Sequence, residues 1–103
     1  MTRTYAAANL EQSARSLTLT LSASDGTINR FYAFLDGKKV MAADGSAPAT
    51  YTGDVPDPVE LKVRVWGIDD AQYRLGIDLP GTADDQALTL TLSEGYHELE
   101  LSL

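Results

Sequence analysis

The stretch that decides the fold runs from residue 59 to residue 102 and reads VELKVRVWGIDDAQYRLGIDLPGTADDQALTLTLSEGYHELELS. Apolar and polar residues alternate along four successive segments of it. The apolar positions are Val59, Leu61, Val63 and Val65, then Tyr73, Leu75, Ile77 and Leu79, then Leu88, Leu90 and Leu92, then Leu99 and Leu101. A period of two predicts strands with one buried face and one wet face, which is typical of antiparallel sheets.

The first half of the chain adds further strands. Residues 16–23 alternate leucines with Ser and Thr, which predicts a strand of the same kind. Asp36-Gly37 stands between two apolar runs and predicts a hairpin, because a type I′ turn needs positive φ at both central residues. Residues 27–35 have apolar side chains at both odd and even positions, which predicts a strand covered on both sides. Residues 2–8 indicate a first strand or a loose arm, and residues 9–15 a short helical segment.

Strands this short, separated by turns at intervals of roughly ten residues, predict an all-β fold. We expect an antiparallel β-sandwich of about eight strands, immunoglobulin-like or jelly-roll-like, that forms one domain over residues 1–103. A chain of 103 residues buries enough surface to fold without a disulfide, and this chain contains no cysteine. A sandwich suits the pattern because two sheets with one apolar face each share a single core.

The net charge of the chain argues against two classes of partner. Fifteen carboxylates against eight basic residues give a net charge of −7, which repels nucleic acid and an anionic membrane surface. We therefore expect no nucleic-acid and no membrane partner. Residues 1–15 contain no apolar leader segment, and no window approaches the ~18 apolar residues of a membrane span. The sequence predicts a protein that is cytoplasmic, or exported without a cleaved signal peptide.

The order of the strands predicts which loops lie at the same end of the sandwich, and one of the two ends carries a candidate ligand-binding site. If successive strands alternate in direction, the loops at residues 24–26, 42–48, 67–71 and 93–95 share one end of the sandwich. That end carries Trp66, Tyr96, Asp69, Asp70 and Glu94. Two aromatic faces can stack on a sugar ring or on a partner's side chain, and carboxylates accept hydrogen bonds from hydroxyls. The alternative is that Trp66 closes the end of the core, as large aromatic residues often do.

The opposite end carries the loops at residues 36–37, 53–58 and 80–86. It holds Asp54, Asp57, Asp84 and Asp85, an oxygen-rich group of the kind that calcium accepts. The spacing matches no calcium-binding loop, and Asp is also an ordinary turn residue. We predict no metal site, with calcium at these four aspartates as the open alternative.

The sequence indicates no catalytic residues, no cofactor and no enzyme. His97 is the only histidine, and it shares the parity of Leu99 and Leu101, so we expect it on the core side. Neither a nucleophile nor an orienting acid is marked beside it, and no nucleophile-elbow, zinc-protease or phosphate-loop motif occurs.

The predicted function is a non-catalytic binding module that engages a protein or carbohydrate ligand through the loop end with Trp66 and Tyr96. The alternative is a structural or assembly subunit that self-associates through an edge strand or a sheet face, which leaves a homo-oligomer open. Residues 99–103 carry no Lys or Pro to protect an edge. We expect that strand either to be pinned inside its sheet or to add to the edge of a neighbour.

Overall fold

The computed structural model describes residues 15 to 103, and these residues form eight β-strands and no helix. The strands are β1 (Arg15–Asp25), β2 (Ile28–Leu35), β3 (Lys38–Asp44), β4 (Ala49–Val55), β5 (Glu60–Gly67), β6 (Gln72–Asp78), β7 (Gln86–Thr91) and β8 (Tyr96–Ser102). Accordingly, the described residues include no helix long and apolar enough to cross a membrane. The predicted arm at residues 2–8 lies outside the described part, as does the predicted helical segment except for Arg15, which begins β1.

The strands form two antiparallel four-stranded sheets that pack face to face as a β-sandwich. Sheet A has the order β4-β1-β6-β7, and sheet B has the order β3-β2-β5-β8. Only β2–β3 and β6–β7 are hairpins between neighbours in both sequence and sheet, so the other connections cross from one sheet to the other. The predicted antiparallel sandwich is confirmed.

The core lies between the sheets and is built from the apolar residues of the alternating pattern. Leu17, Leu19 and Leu21 of β1 are completely buried, as are the inward residues of β5 and β6. No polar or charged residue among residues 15–103 is buried. Phe31 and Tyr73 meet edge to face across the core, with ring centroids 6.3 Å apart. We call the side of each sheet that faces away from this core its outer face.

The Asp36-Gly37 hairpin between β2 and β3 is confirmed. Both central residues have positive φ, 49° for Asp36 and 81° for Gly37, as a type I′ turn requires. The turn is also tied to the neighbouring strand. The amide of Asp36 donates to the carbonyl of Glu60 at 2.9 Å, and the amide of Glu60 donates to Asp36 Oδ1 at 2.9 Å.

The prediction that β2 is covered on both sides is wrong. Phe31, Ala33 and Leu35 face the core, whereas Tyr32 and Phe34 lie on the outer face of sheet B and are half-buried. The described residues form no third layer over that face. Tyr32 and Phe34 are shielded instead by long cationic side chains of β2, β3 and β5.

The last strand is pinned, as one of the two alternatives predicted. β8 is the edge strand of sheet B and pairs along its length with β5. Beyond it, Val59 and Leu103 exchange two backbone hydrogen bonds of 3.0 and 2.9 Å, and the Leu103 side chain is buried. The Arg15 guanidinium also donates to the carbonyl of Leu103 at 3.0 Å.

Candidate ligand-binding face

The predicted grouping of the four loops at the Trp66 end is confirmed by hydrogen bonds near them. The amide of Gly67 donates to the carbonyl of Gly95 at 3.0 Å, which joins the β5–β6 loop to the β7–β8 turn. The amide of Ile68 donates to Thr27 at 3.0 Å, and the amide of Gly45 donates to Asn29 at 3.3 Å. All four loops of that end therefore belong to one connected surface.

Trp66 and Tyr96 lie in contact at this end, on the outer face of sheet B. They are register partners on β5 and β8, and their ring centroids are 5.0 Å apart at an interplanar angle of 51°. The alternative in which Trp66 closes the core is wrong, because the inward positions at this level belong to Val65 and His97. Trp66 follows the polar parity of β5 and stays half-buried on the outside.

Asp69, Asp70 and Glu94 lie at the same end and are exposed. Asp69 is used by the loops themselves, since its Oδ1 accepts the amide of Glu94 at 2.8 Å and the amide of Asp70 at 3.1 Å. Asp70 and Glu94 both have positive φ, 64° and 56°. The Asp69 carboxylate thus stabilises, through Oδ1, the two turns beside Trp66 and Tyr96.

Two further aromatic residues extend the surface across sheet B. The Tyr32 centroid is 5.3 Å from that of Trp66, and the Phe34 centroid is 6.4 Å from that of Tyr32, with interplanar angles of 75° and 78°. Tyr96, Trp66, Tyr32 and Phe34 form a continuous row of rings, which we call the aromatic strip. Tyr32 and Phe34 were not predicted to lie on this face, although apolar residues at the outward positions of β2 were the signal for it.

Cationic side chains cover half of the aromatic strip. Arg30 and Lys39 lie over the Tyr32 ring, 5.8 and 5.0 Å from its centroid, and Arg64 lies 5.5 Å from the centroid of Phe34. Such contacts attract a cation to the electron-rich ring face. Within residues 15–103, no cation lies over the half-buried rings of Trp66 and Tyr96 in this way.

Glu98 links the aromatic strip to the charged residues beside it. One carboxylate oxygen accepts the Tyr96 hydroxyl at 2.8 Å and Arg64 Nε at 3.2 Å. The hydrogen bond from Tyr96 is the main reason that the pKa of Glu98 lies below its ordinary value, and Arg64 and Lys62 add to the effect. Burial and the same hydrogen bond raise the pKa of Tyr96. The hydrogen bond to Glu98 orients the Tyr96 ring on this face.

A shallow groove of about 490 Å³ continues this face toward the β2–β3 hairpin. We call it the hairpin groove. Its lining includes Phe34, Asp36, Glu60, Lys62, Arg64 and Glu100. Lys62 and Glu100 form an ion pair across β5 and β8 at 3.5 Å. Phe34 and Arg64 belong to both the groove and the cation–π contacts of the aromatic strip, so the two features adjoin.

The other residues singled out from sequence do not join this face. No group of three or more His, Cys, Asp and Glu side chains that could hold a metal ion occurs in residues 15–103. The aspartates proposed for calcium therefore form no such cluster, and Asp57 lies 3.8 Å from the Arg15 guanidinium.

His97 is on the core side of β8, as predicted. Its Nδ1 is 2.8 Å from the buried Tyr73 hydroxyl, with which it shares a hydrogen bond. Burial raises the pKa of Tyr73, so the phenol keeps its proton for this bond. The contact connects β6 of sheet A with β8 of sheet B, and its role in this geometry is to join the two sheets.

The outer face of sheet B thus carries two half-buried rings in mutual contact at the loop end, two rings under cationic side chains at its centre and a groove at the hairpin end. Comparisons with family models, curated proteins and solved structures find no match to this chain.

Proposed function

We propose that the chain is a non-catalytic binding module whose ligand, a glycan or a protein, lies on Trp66 and Tyr96. The observation that carries the proposal is the position of these two rings. Their ring centroids are 5.0 Å apart, and both rings lie on the outer face of sheet B rather than in the core. Rigid aromatic side chains at a surface supply large contact area at low entropic cost, which is why binding sites are enriched in them.

The neighbourhood of the two rings supports the same proposal. Ile68, in the adjoining β5–β6 loop, is 53% exposed and is the most exposed large apolar side chain of the described residues. The Asp69 hydrogen bonds hold the loops beside the rings in one conformation. A site whose loops are already ordered loses less conformational entropy when a ligand binds.

The fluorescence of Trp66, the single tryptophan of the chain, provides the test. We expect its emission to change when the protein is titrated with those hits of a glycan array and a peptide array that bind it. Trp66→Ala and Tyr96→Ala should each weaken binding to these hits. Thr89→Ala, on the outer face of sheet A, is the control and should bind as the parent does.

Urea unfolding of each variant separates lost binding from lost structure. The proposal is wrong if the hits bind Trp66→Ala and Tyr96→Ala, both folded, as tightly as the parent protein. It is also wrong if neither array contains a ligand that changes the emission of Trp66.

A second candidate function, an assembly subunit, is favoured by the edge strand β7. Residues 86–91 read QALTLT and carry no charge, Pro or Gly, and β7 pairs with β6 without a bulge. By contrast, the edge strand β3 begins with Lys38 and Lys39, residues that discourage edge pairing. We expect, on this alternative, that light scattering shows a concentration-dependent dimer that Thr89→Lys converts to monomer. A parent protein that stays monomeric at high concentration eliminates it.

A further inference from the structure

We infer that the ligand of this face is an uncharged glycan chain that extends from Trp66 and Tyr96 along the aromatic strip into the hairpin groove. The inference rests on the proposed function and adds the ligand's chemical class, its direction and a second contact region. Three observations lead to it: the charge balance of the face, the pairing of its charged groups and the distance between its two ends.

The described strands of the outer face of sheet B are electrically balanced in a chain that is strongly acidic. Its four basic residues are Arg30, Lys39, Lys62 and Arg64, and its four acidic residues are Asp44, Glu60, Glu98 and Glu100. The whole chain carries −7. The two ends of the face add further carboxylates, Asp36 at the hairpin groove and Asp69, Asp70 and Glu94 beside Trp66. A polyanion would therefore be repelled at both ends, and a polycation would meet the basic groups along the strands between them. An uncharged ligand encounters no net repulsion there.

Four of the eight charged groups on these strands are already paired with one another. Arg64 contacts Glu98 at 3.2 Å and Lys62 contacts Glu100 at 3.5 Å. An apolar protein surface placed over these pairs would remove water from them without replacing its hydrogen bonds, which costs free energy. Sugar hydroxyls both donate and accept, so they can replace that water at carboxylate and cation alike. The same sugar ring has an apolar C–H face that stacks on an aromatic side chain.

The two ends of the face are too far apart for a single sugar. Trp66 and Lys62 are four residues apart on β5, which corresponds to roughly 13 Å along a strand. The hairpin groove, at about 490 Å³, lies at the far end and shares Phe34 with the aromatic strip. A ligand that contacts both ends must therefore be a chain of several sugar rings, bound lengthwise along β5.

The test is a titration of Trp66 emission with uncharged cello-, xylo- and chito-oligosaccharides, each as dimer and hexamer. Oligogalacturonate, poly-glutamate and poly-lysine are the charged comparisons. We expect a hexamer of at least one uncharged series to bind more tightly than its dimer, with an affinity that is nearly the same at low and high salt. Trp66→Ala should weaken binding about tenfold or more, since a buried aromatic anchor carries that much binding energy.

Variants at the hairpin groove test the length of the site. Glu100→Gln and Phe34→Ala should weaken hexamer binding several-fold while leaving dimer binding unchanged, and Thr89→Ala should change neither. Glu100 is exposed, so Glu100→Gln keeps the fold even if Phe34→Ala does not.

Each other outcome overturns the inference in a recognisable way. If a charged polymer binds more tightly than the uncharged oligosaccharides and its affinity falls with salt, the ligand is not uncharged. If both groove variants bind the hexamer as tightly as the parent does, the site does not extend into the hairpin groove. Failure of every uncharged oligosaccharide refutes the ligand class. If peptides from the array still require Trp66, the proposed binding function survives and only this inference fails.

Discussion

Gly67→Ala should destabilise the protein by about 2–3 kcal/mol, and the reason lies in the close packing of the β5–β6 loop. A Cβ at Gly67 would overlap the carbonyl oxygen of Thr27 and would lie 3.1 Å from both Ile28 Cα and Leu92 Cδ2. Two of these neighbours are backbone atoms, which no rotamer change can move. The loop must shift, and the shift strains the hydrogen bonds of 3.0 Å from Gly67 to Gly95 and from Ile68 to Thr27.

The magnitude follows from those contacts. Each weakened hydrogen bond costs about 1 kcal/mol, and overpacking adds about 1 kcal/mol or more. For a domain of this size the melting temperature should fall by roughly 10–20 °C. Urea unfolding followed by circular dichroism measures the change in the free energy of unfolding.

Gly76→Ala is the matched control. Gly76 lies on the outer face of sheet A, where an added Cβ meets nothing closer than Thr20 Cβ at 3.7 Å. Alanine there restricts the unfolded chain without a clash, so Gly76→Ala should be neutral or up to about 1 kcal/mol more stable than the parent. The reasoning fails if Gly67→Ala unfolds at the same urea concentration as Gly76→Ala.

Two further predictions concern hydrogen bonds to side chains. Tyr73→Phe should lower the free energy of unfolding by about 1 kcal/mol in urea, because it removes the hydrogen bond between the Tyr73 hydroxyl and His97 Nδ1. An unchanged unfolding midpoint together with an unchanged His97 ring signal in NMR would contradict this prediction. The Tyr96 hydroxyl and nearby cations lower the pKa of Glu98 from its ordinary 4.5, so the stability due to this group is complete above pH 4.5 and is lost as the pH falls. Glu98→Gln should therefore flatten the acid side of the stability profile, and a profile that matches the parent's at every pH would refute this.

The strands and the core could be predicted from sequence because they depend on local pattern. Leu17, Leu19 and Leu21 alternate with polar residues, and burying that set leaves one choice of inward face. The Asp36-Gly37 turn was equally accessible, since few residue pairs adopt positive φ twice in succession. Both features are set by residues that are neighbours in the chain.

The full extent of the candidate site could not be predicted, because it depends on which strands are neighbours in the sheet. Tyr32 looked like a residue covered by another layer, yet it lies beside Trp66 and under Arg30 and Lys39. The contacts with Trp66 and Lys39 exist only because β2 pairs with both β3 and β5. Asp69 also accepts the backbone amide of Glu94, a contact that forms only because the β7–β8 turn lies beside the β5–β6 loop.

The strand order also has a consequence for how the chain is made. β1 is the first described strand to leave the ribosome, yet its partners are β4 and β6, so Leu19 waits for Tyr51 and Ile77 to be synthesised. Until β4 is synthesised, β2 and β3 are the only two described strands that are complete and pair with each other. Long-range pairing of this kind slows folding and leaves apolar strands exposed meanwhile. The apolar side of β1 is therefore the segment of the nascent chain that we expect a chaperone to shield first.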